Sequence, residues 1–339
     1  MKQAVMVEPG KIEFDEVPIP DIKDDEVLLK IHRIGICGSD VHVWHGKHPY
    51  TPYPVIQGHE YSATIEKFGK NVRGLKINSK ATAIPQIVCG ECDPCKRGDY
   101  HICDNLKVQG FQAPGAAQDY FVTTKEKIVV LPKDFSFEQG ACVEPVSVAV
   151  HAVNRVMNIK GQDVTILGAG PIGNLVAQVA KAYGANVLIT DISDYRLKVA
   201  RKCGISNTSN SSEESLQQAS KRVFNGRTFK LAFECVGVDA TMSSVIETIG
   251  KGGEIVVVGV FGEKPTIDVG LIQDRELKLI GTLMYKQDDY IEAVRLIDEG
   301  LVKLEPLYSE HFNFYDYSKA YTLIENDRDK VMKVFIDVN

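Results

Sequence analysis

The sequence predicts an α/β chain in two parts, a mainly β domain followed by a doubly wound parallel sheet flanked by helices. Three observations predict it. The 339 residues exceed what one core organises, at roughly 100–200 residues per domain. The first 147 residues are rich in Gly, Pro and β-favouring runs. Beyond Pro145, short apolar runs alternate with stretches of helical spacing, the pattern of a parallel sheet with crossover helices.

In chain order, Glu26 to Ile31, Tyr61 to Ile65 and Lys127 to Leu131 read as strands of the first domain. Val146 to Met157 has helical apolar spacing, Val164 to Leu167 is strand-like, and Pro171 to Tyr183 is helical after a glycine turn. Strands are predicted at Val187 to Thr190, Lys230 to Cys235 and Glu254 to Val258, with helices at 239–250 and 290–299. The tail from Val331 to Ile336 is strand-like and is assigned back to the first domain. The expected division is 1–147 for the first domain, 148–281 for the parallel-sheet domain and 282–339 for a returning segment. Two domains leave a cleft where a ligand can sit. No repeat of fixed period is visible.

Composition narrows the function classes. With 44% hydrophobic and 25% charged residues and no low-complexity tract, the chain is of ordinary globular type. Its net charge of -6, without a basic block, argues against nucleic acid as partner. The first residues run straight into a strand-like stretch without a leader pattern, and no run of about 18 apolar residues occurs, so the expectation is a cytoplasmic protein with no membrane partner. In a reducing compartment the eight cysteines are not a disulfide framework.

Gly168-Ala169-Gly170-Pro171-Ile172-Gly173 fits G-x-G-x-x-G between a predicted strand and helix. Gly168 permits the tight turn, Gly170 lets a pyrophosphate approach the backbone, and Gly173 lets helix and strand pack. The helix N-terminus then offers free N–H groups to the phosphates. Asp191 ends the next strand, where a carboxylate accepts from the adenosine ribose hydroxyls and repels a 2′-phosphate. NAD is thus favoured over NADP, and Arg196 is expected against the adenine or ribose, although an arginine there could also meet a phosphate.

Cys89, Cys92, Cys95 and Cys103 fall within one short Gly- and Pro-containing loop. Four thiolates satisfy tetrahedral zinc and leave no open position, so a structural zinc is predicted. An iron–sulfur cluster fits less well, because its run wants the fourth cysteine after three residues and a proline next, whereas the gap here is seven and Asp104 follows. Cys142, Cys203 and Cys235 read as small buried side chains. A second constellation is dispersed: Gly35 to His42 with Cys37, then Gly58-His59-Glu60, then Glu144-Pro145. One Cys, one His and a carboxylate leave a fourth position open, as a catalytic zinc requires.

Gly35 to His42, Gly58-His59-Glu60, the four-cysteine loop and Gly168 to Gly173, in that chain order and approximate spacing, resemble the zinc-containing medium-chain alcohol dehydrogenases over essentially the whole chain, and within them the polyol branch of sorbitol (L-iditol), threonine and sugar-acid dehydrogenases. The resemblance implies a GroES-like catalytic domain and a Rossmann domain, two zinc ions per chain, NAD, and a homodimer or homotetramer. It implies that Cys37 and His59 hold catalytic zinc with Glu60 as third ligand, and that Glu144 is a ligand in some states or a partner of the zinc-bound water in others. By the same resemblance Ser39 receives the substrate proton, His42 passes it to solvent, and Asp40 orients His59. Val258, Gly259 and Val260 would lie beside the nicotinamide, with Leu283 and Met284 approaching from the domain junction.

Trp44, Lys47 and Tyr50, with His45, His48 and Tyr53, follow the first ligand and are expected to border the pocket. Aromatic and cationic groups there suit a secondary hydroxyl of a polyol or sugar acid, of L-galactonate or L-iditol type. L-threonine or a simple diol is the alternative substrate, and a catalytically silent cofactor-binding sensor or scaffold is the alternative of another class. Loss of Cys37 or His59 would have pointed to the latter, and both are present.

Overall fold

The computed structural model describes residues 1–339 and resolves them into two compact units. The first comprises Met1–Glu144, Lys286–Val294 and Tyr308–Asn339; the second comprises Pro145–Tyr285 and Arg295–Leu307. No helix is long and apolar enough to cross a membrane.

The first unit is built on a seven-stranded sheet. Its path runs Tyr308–Asn313, Lys333–Asp337, Glu26–Gly35, Glu60–Phe68, Lys80–Ala83, Ile128–Val130, with Tyr120–Thr124 also paired to Glu26–Gly35. Strand Glu26–Gly35 is the spine, since alternate residues Val27, Leu29 and Ile31 are fully buried on the core side. At a rough 1.5–3 kcal/mol per buried aliphatic side chain, this face alone offsets much of the chain entropy of the strand. The tail pairs antiparallel to the spine with Ile336 opposite Ile34 and Phe335 opposite Gly35. Its partner Tyr308–Asn313 is parallel to it, joined through helix Tyr317–Asn326.

The second unit carries six parallel strands in the order Asn207–Asn210, Asn186–Asp191, Asp163–Leu167, Leu231–Glu234, Glu254–Val257, Lys278–Gly281. Chain direction of winding reverses between Asp163–Leu167 and Leu231–Glu234, which makes the carboxyl ends of these two strands the switch point where open α/β sheets bind ligands. The edge strand Asn207-Thr208-Ser209-Asn210 had no strand signal, being short and wholly polar. Helix Leu216–Val223 beyond it starts at a capping box of Ser215 and Gln218. Residues 295–307 group with this unit because Gln178 clasps Lys303 on both backbone groups, at 3.1 and 2.6 Å, while Val302 and Leu304 are buried.

Candidate metal centres and dinucleotide site

Each site is assembled by local backbone geometry. Cys37 caps helix Gly38–Trp44, and its amide donates to Asp40 Oδ2 at 2.9 Å. The other oxygen of Asp40 lies 3.5 Å from His59 Nδ1 and accepts from Gln57 Nε2 at 3.2 Å. Gln57 is fixed in turn by the Tyr321 hydroxyl, which donates to its Oε1 at 2.6 Å. Burial opposes a charge on His59, but the carboxylate of Asp40 and the sulfur of Cys37 outweigh it and hold the ring well above its ordinary range. Glu60 follows directly at the start of strand Glu60–Phe68, opposite Gly35. A Cβ on Gly35 would stand 2.4 Å from Glu60 Oε2, so only glycine leaves room for that carboxylate. The donor atoms of Cys37, His59 and Glu60 all lie within 4.8 Å of one another, a group that does not include Glu144.

Lys333 completes this centre. Its Nζ donates to Glu60 Oε2 at 2.6 Å and to the Ile36 carbonyl at 3.2 Å, in a pair almost fully buried. Loss of hydration works against the ammonium, and Glu60 and the Cys37 and Cys142 sulfurs reverse this and raise its pKa.

The four-cysteine loop has almost no regular structure, only the helical turns Asp93–Lys96 and Tyr100–Ile102 and the ribbon of Gln86–Ile87 with Lys107–Val108 at its base. Its centre is sulfur. Cys92 and Cys103 Sγ are 3.8 Å apart and Cys103 and Cys89 Sγ 3.5 Å. The amides of Cys89 and Asn105 point at Cys103 Sγ at 3.3 and 3.4 Å, and that of Cys92 at Cys89 Sγ at 3.4 Å. In the second unit, Gly168 turns at φ +97°, and a Cβ on Gly173 would sit 2.0 Å from the Gly168 carbonyl, so helix Pro171–Ala182 can start this close only with glycine. Asp191 accepts from the Ala169 amide at 2.7 Å and from Ser193 at 2.8 Å, with Arg196 Nη1 at 3.9 Å.

Comparison with known proteins agrees with this architecture. Residues 23–133 match the alcohol dehydrogenase GroES-like domain and residues 171–299 the zinc-binding dehydrogenase domain. Sorbitol dehydrogenase 2 of Saccharomyces cerevisiae is 33% identical, over 98% of this chain and 96% of its own. The 2-dehydro-3-deoxy-L-galactonate 5-dehydrogenase of Pseudoalteromonas atlantica is 34% identical, over 93% and 92%. The crystal structure of galactitol-1-phosphate dehydrogenase from Escherichia coli superposes with a TM-score of 0.92 at 31% identity, covering all of both chains. The chain belongs to the zinc-containing medium-chain alcohol dehydrogenases, in their polyol branch.

As a member of that family it is an enzyme that uses zinc and a nicotinamide dinucleotide, and its side chains fit both. A tetrahedron of sulfurs about 2.3 Å from zinc has edges of about 3.8 Å, and the cysteine loop already has sulfurs 3.5 and 3.8 Å apart. Backbone amides of Glu91 and Cys92 hold the Cys89 thiol down to about 6, while lost hydration and the neighbouring Cys92 push Cys95 up to about 12. Four sulfurs this close carry charge together only if a cation shares the site. Asn105 and the two cysteine amides solvate those charges.

The remaining site expectations of this dehydrogenase fall in different places. Ser39 is half-buried with its Oγ 3.6 Å from Cys37 Sγ, and His42, three residues on in the same helix, is exposed. Trp44 stacks on Tyr321 with centroids 4.8 Å apart and packs on the core, His45 pairs with Glu325 at 3.0 Å, and the Tyr53 hydroxyl donates to the Val43 carbonyl. Those three hold the loop. Lys47 and Tyr50 are exposed. His48 stacks on Phe111 at 4.9 Å, and Phe111 in turn lies 4.8 Å from the His59 ring. Phe111, Gln57, Tyr321 and Lys333 escaped the sequence reading, for none sits in a motif. Glu144 is buried in the first turn of helix Val143–Asn154. Val258, Gly259 and Val260 follow strand Glu254–Val257, and Leu283 and Met284 are in the turn after Lys278–Gly281, Met284 with φ +52°.

Proposed function

We propose that this dehydrogenase oxidises a secondary hydroxyl of a polyol or sugar acid, of L-iditol or L-galactonate type, with NAD as hydride acceptor. The observation that carries the reading is the convergence of Cys37, His59 and Glu60, with His48 of the polar loop that also bears Lys47 and Tyr50 stacked on Phe111 against the His59 ring. Zinc, when bound, supplies the Lewis acidity that makes an alcohol proton easy to remove. Ser39 Oγ takes that proton as it passes its own hydroxyl proton on, and His42 releases a proton to solvent. Partial loss of hydration, with Arg328, His45 and Lys47 around it, lowers the His42 ring from its usual 6.5 and so favours the neutral form that can accept a proton. Asp40 keeps His59 oriented, and Glu144 serves as a nearby second carboxylate.

In the second unit Gly168, Gly170, Ile172 and Gly173 receive the diphosphate, and Asp191 with Arg196 the adenosine ribose. Both Asp191 oxygens already hold a backbone amide, which fixes the carboxylate and leaves its further lone pairs for hydroxyls. Polar groups that meet substrate hydroxyls discriminate strongly against analogues without them. A panel of polyols, aldonates, phosphorylated polyols, threonine and ethanol with NAD tests the reading at the NADH absorbance. A polyol or sugar acid should exceed ethanol in kcat/KM by at least about a hundredfold, roughly 2.7 kcal/mol. Turnover of ethanol alone would overturn it. If the preferred substrate is anionic, Lys47→Ala should raise its KM and spare neutral polyols. We also propose a cytoplasmic homodimer or homotetramer. Eight unpaired cysteines suit a reducing compartment, and light scattering on the zinc-loaded protein reads the assembly.

A further inference from the structure

Glu234 is fully buried and ends the strand Leu231–Glu234 at the switch point of the parallel sheet. Its carboxylate is satisfied by its own loop. Oε1 accepts from the Val236 amide at 2.9 Å, the Gly237 amide at 2.9 Å and the Thr241 hydroxyl at 2.7 Å, and Oε2 lies 3.1 Å from the Gly237 amide. Its backbone carbonyl accepts from Val258 and Gly259, each at 2.8 Å. One residue therefore fastens both loops that leave the carboxyl ends of neighbouring strands. The approach is close enough to demand glycine twice: a Cβ on Gly259 would stand 2.7 Å from Glu234 Oε2, and one on Gly237, at φ +80°, 2.5 Å from the Val260 carbonyl.

The fastened loops present apolar side chains outward, with Val236 43%, Val238 45% and Val260 78% exposed. They also abut the glycine turn, since a Cβ on Gly168 would meet Val236 at 2.7 Å. A dinucleotide lies across the switch point, one mononucleotide on each half of the sheet. Asp191 marks the adenosine half, so the other half falls to the loops at 235–238 and 258–260.

We propose that Glu234 is a positioning residue that holds these two loops in the shape that receives the nicotinamide half of the cofactor. This rests on the NAD reading above. A buried carboxylate that satisfies three donors is costly to replace, because an apolar substitute leaves those donors without an acceptor. The loop at 235–238 then relaxes and loses its close fit against Val260, whose own loop keeps its bonds to the Glu234 backbone carbonyl, while the adenosine half stays intact.

The test measures NADH and AMP affinity by fluorescence and competition for the zinc-loaded protein and for Glu234→Leu, Glu234→Gln and Thr241→Val, with thermal unfolding alongside. Glu234→Leu should weaken NADH about tenfold or more and AMP less than about twofold. Glu234→Gln, which keeps an oxygen where most donors converge, should recover most of the loss, and Thr241→Val should show a smaller loss of the same kind. If Glu234→Leu fails to fold, the other two carry the test. Folded variants that bind NADH as the wild type does, or that lose AMP and NADH equally, would overturn the proposal. A wild type that binds AMP but not NADH would overturn the NAD reading and the proposal with it.

Discussion

Lys333 shows how one side chain alters the chemistry of a site it does not adjoin in sequence. A carboxylate buried to 1% exposure, as that of Glu60 is, needs a counter-charge, and Lys333 supplies it at 2.6 Å. Removing one member of a buried pair typically costs about 3–5 kcal/mol. Lys333→Met should therefore cost about 3 kcal/mol in urea unfolding of the metal-stripped protein, and clearly less after zinc is restored, because the cation gives Glu60 another partner. Equal losses with and without zinc would separate Lys333 from the metal centre. Asp191 makes a second prediction at this scale. Wild type should prefer NAD to NADP by at least about tenfold in kcat/KM, roughly 1.4 kcal/mol, and Asp191→Ser should narrow the gap mainly by weakening NAD. The serine should also loosen the turn that the carboxylate holds through the Ala169 amide. A wild type that prefers NADP would assign the pocket to Arg196.

Among the elements, the cysteine loop depends most on what it binds. Its helical turns are a few residues long, Cys103 is the one buried thiol of the four, and the loop is tied to the start of helix Gln287–Asp298 by Lys286 with Asp99 at 2.9 Å and by the Gln287 amide with the Tyr100 hydroxyl at 2.6 Å. Structural zinc contributes on the order of 10 kcal/mol in small domains. Cys103→Ser should lose one zinc per chain and lower Tm by many degrees. Cys37→Ser should lose the other zinc and turnover with little change in Tm, as metal analysis and calorimetry would read. The Cys37 helix is held by capping rather than by metal, since Asp40 accepts the Cys37 amide. Similar Tm losses in the two variants would abolish this division.

Over the whole molecule, carboxylates fixed by arginine set the acid limit. Burial pushes Glu138 up, but its own amide, Ser136 and Arg33 outweigh burial and hold it below its ordinary value. In the second unit Asp163 is likewise raised by burial and lowered further by Arg227 and Asn186. A group depressed in the folded state contributes stability that is present above its unfolded pKa, near 4, and is lost as pH falls through the folded value. Tm should thus be flat from neutrality to about pH 5 and fall below about pH 4. Glu138→Gln and Asp163→Asn should each lower Tm at pH 7 and flatten the acid fall, and an unchanged slope in both would place the acid limit elsewhere.

What the sequence determined by itself was whatever short-range spacing encodes. The glycine turn and the four-cysteine run each lie within a few residues of themselves, and turn sterics and metal coordination need those residues at those spacings. Apolar periodicity gave the alternation of strands and helices in the same way, and failed at Asn207–Asn210, where an edge strand needs no apolar face. Tertiary structure alone decided which distant residues meet. Lys333 reaches Glu60 across 273 positions and Tyr321 reaches Gln57 across 264. Their meeting depends on the tail pairing with strand Glu26–Gly35 in a register that sets Phe335 opposite Gly35. That register is fixed by which face of each strand can be buried, a property of the assembled sheet. The loop after Cys37 divides for the same reason, because only packing shows that Trp44 lies against Tyr321 while Lys47 and Tyr50 remain exposed.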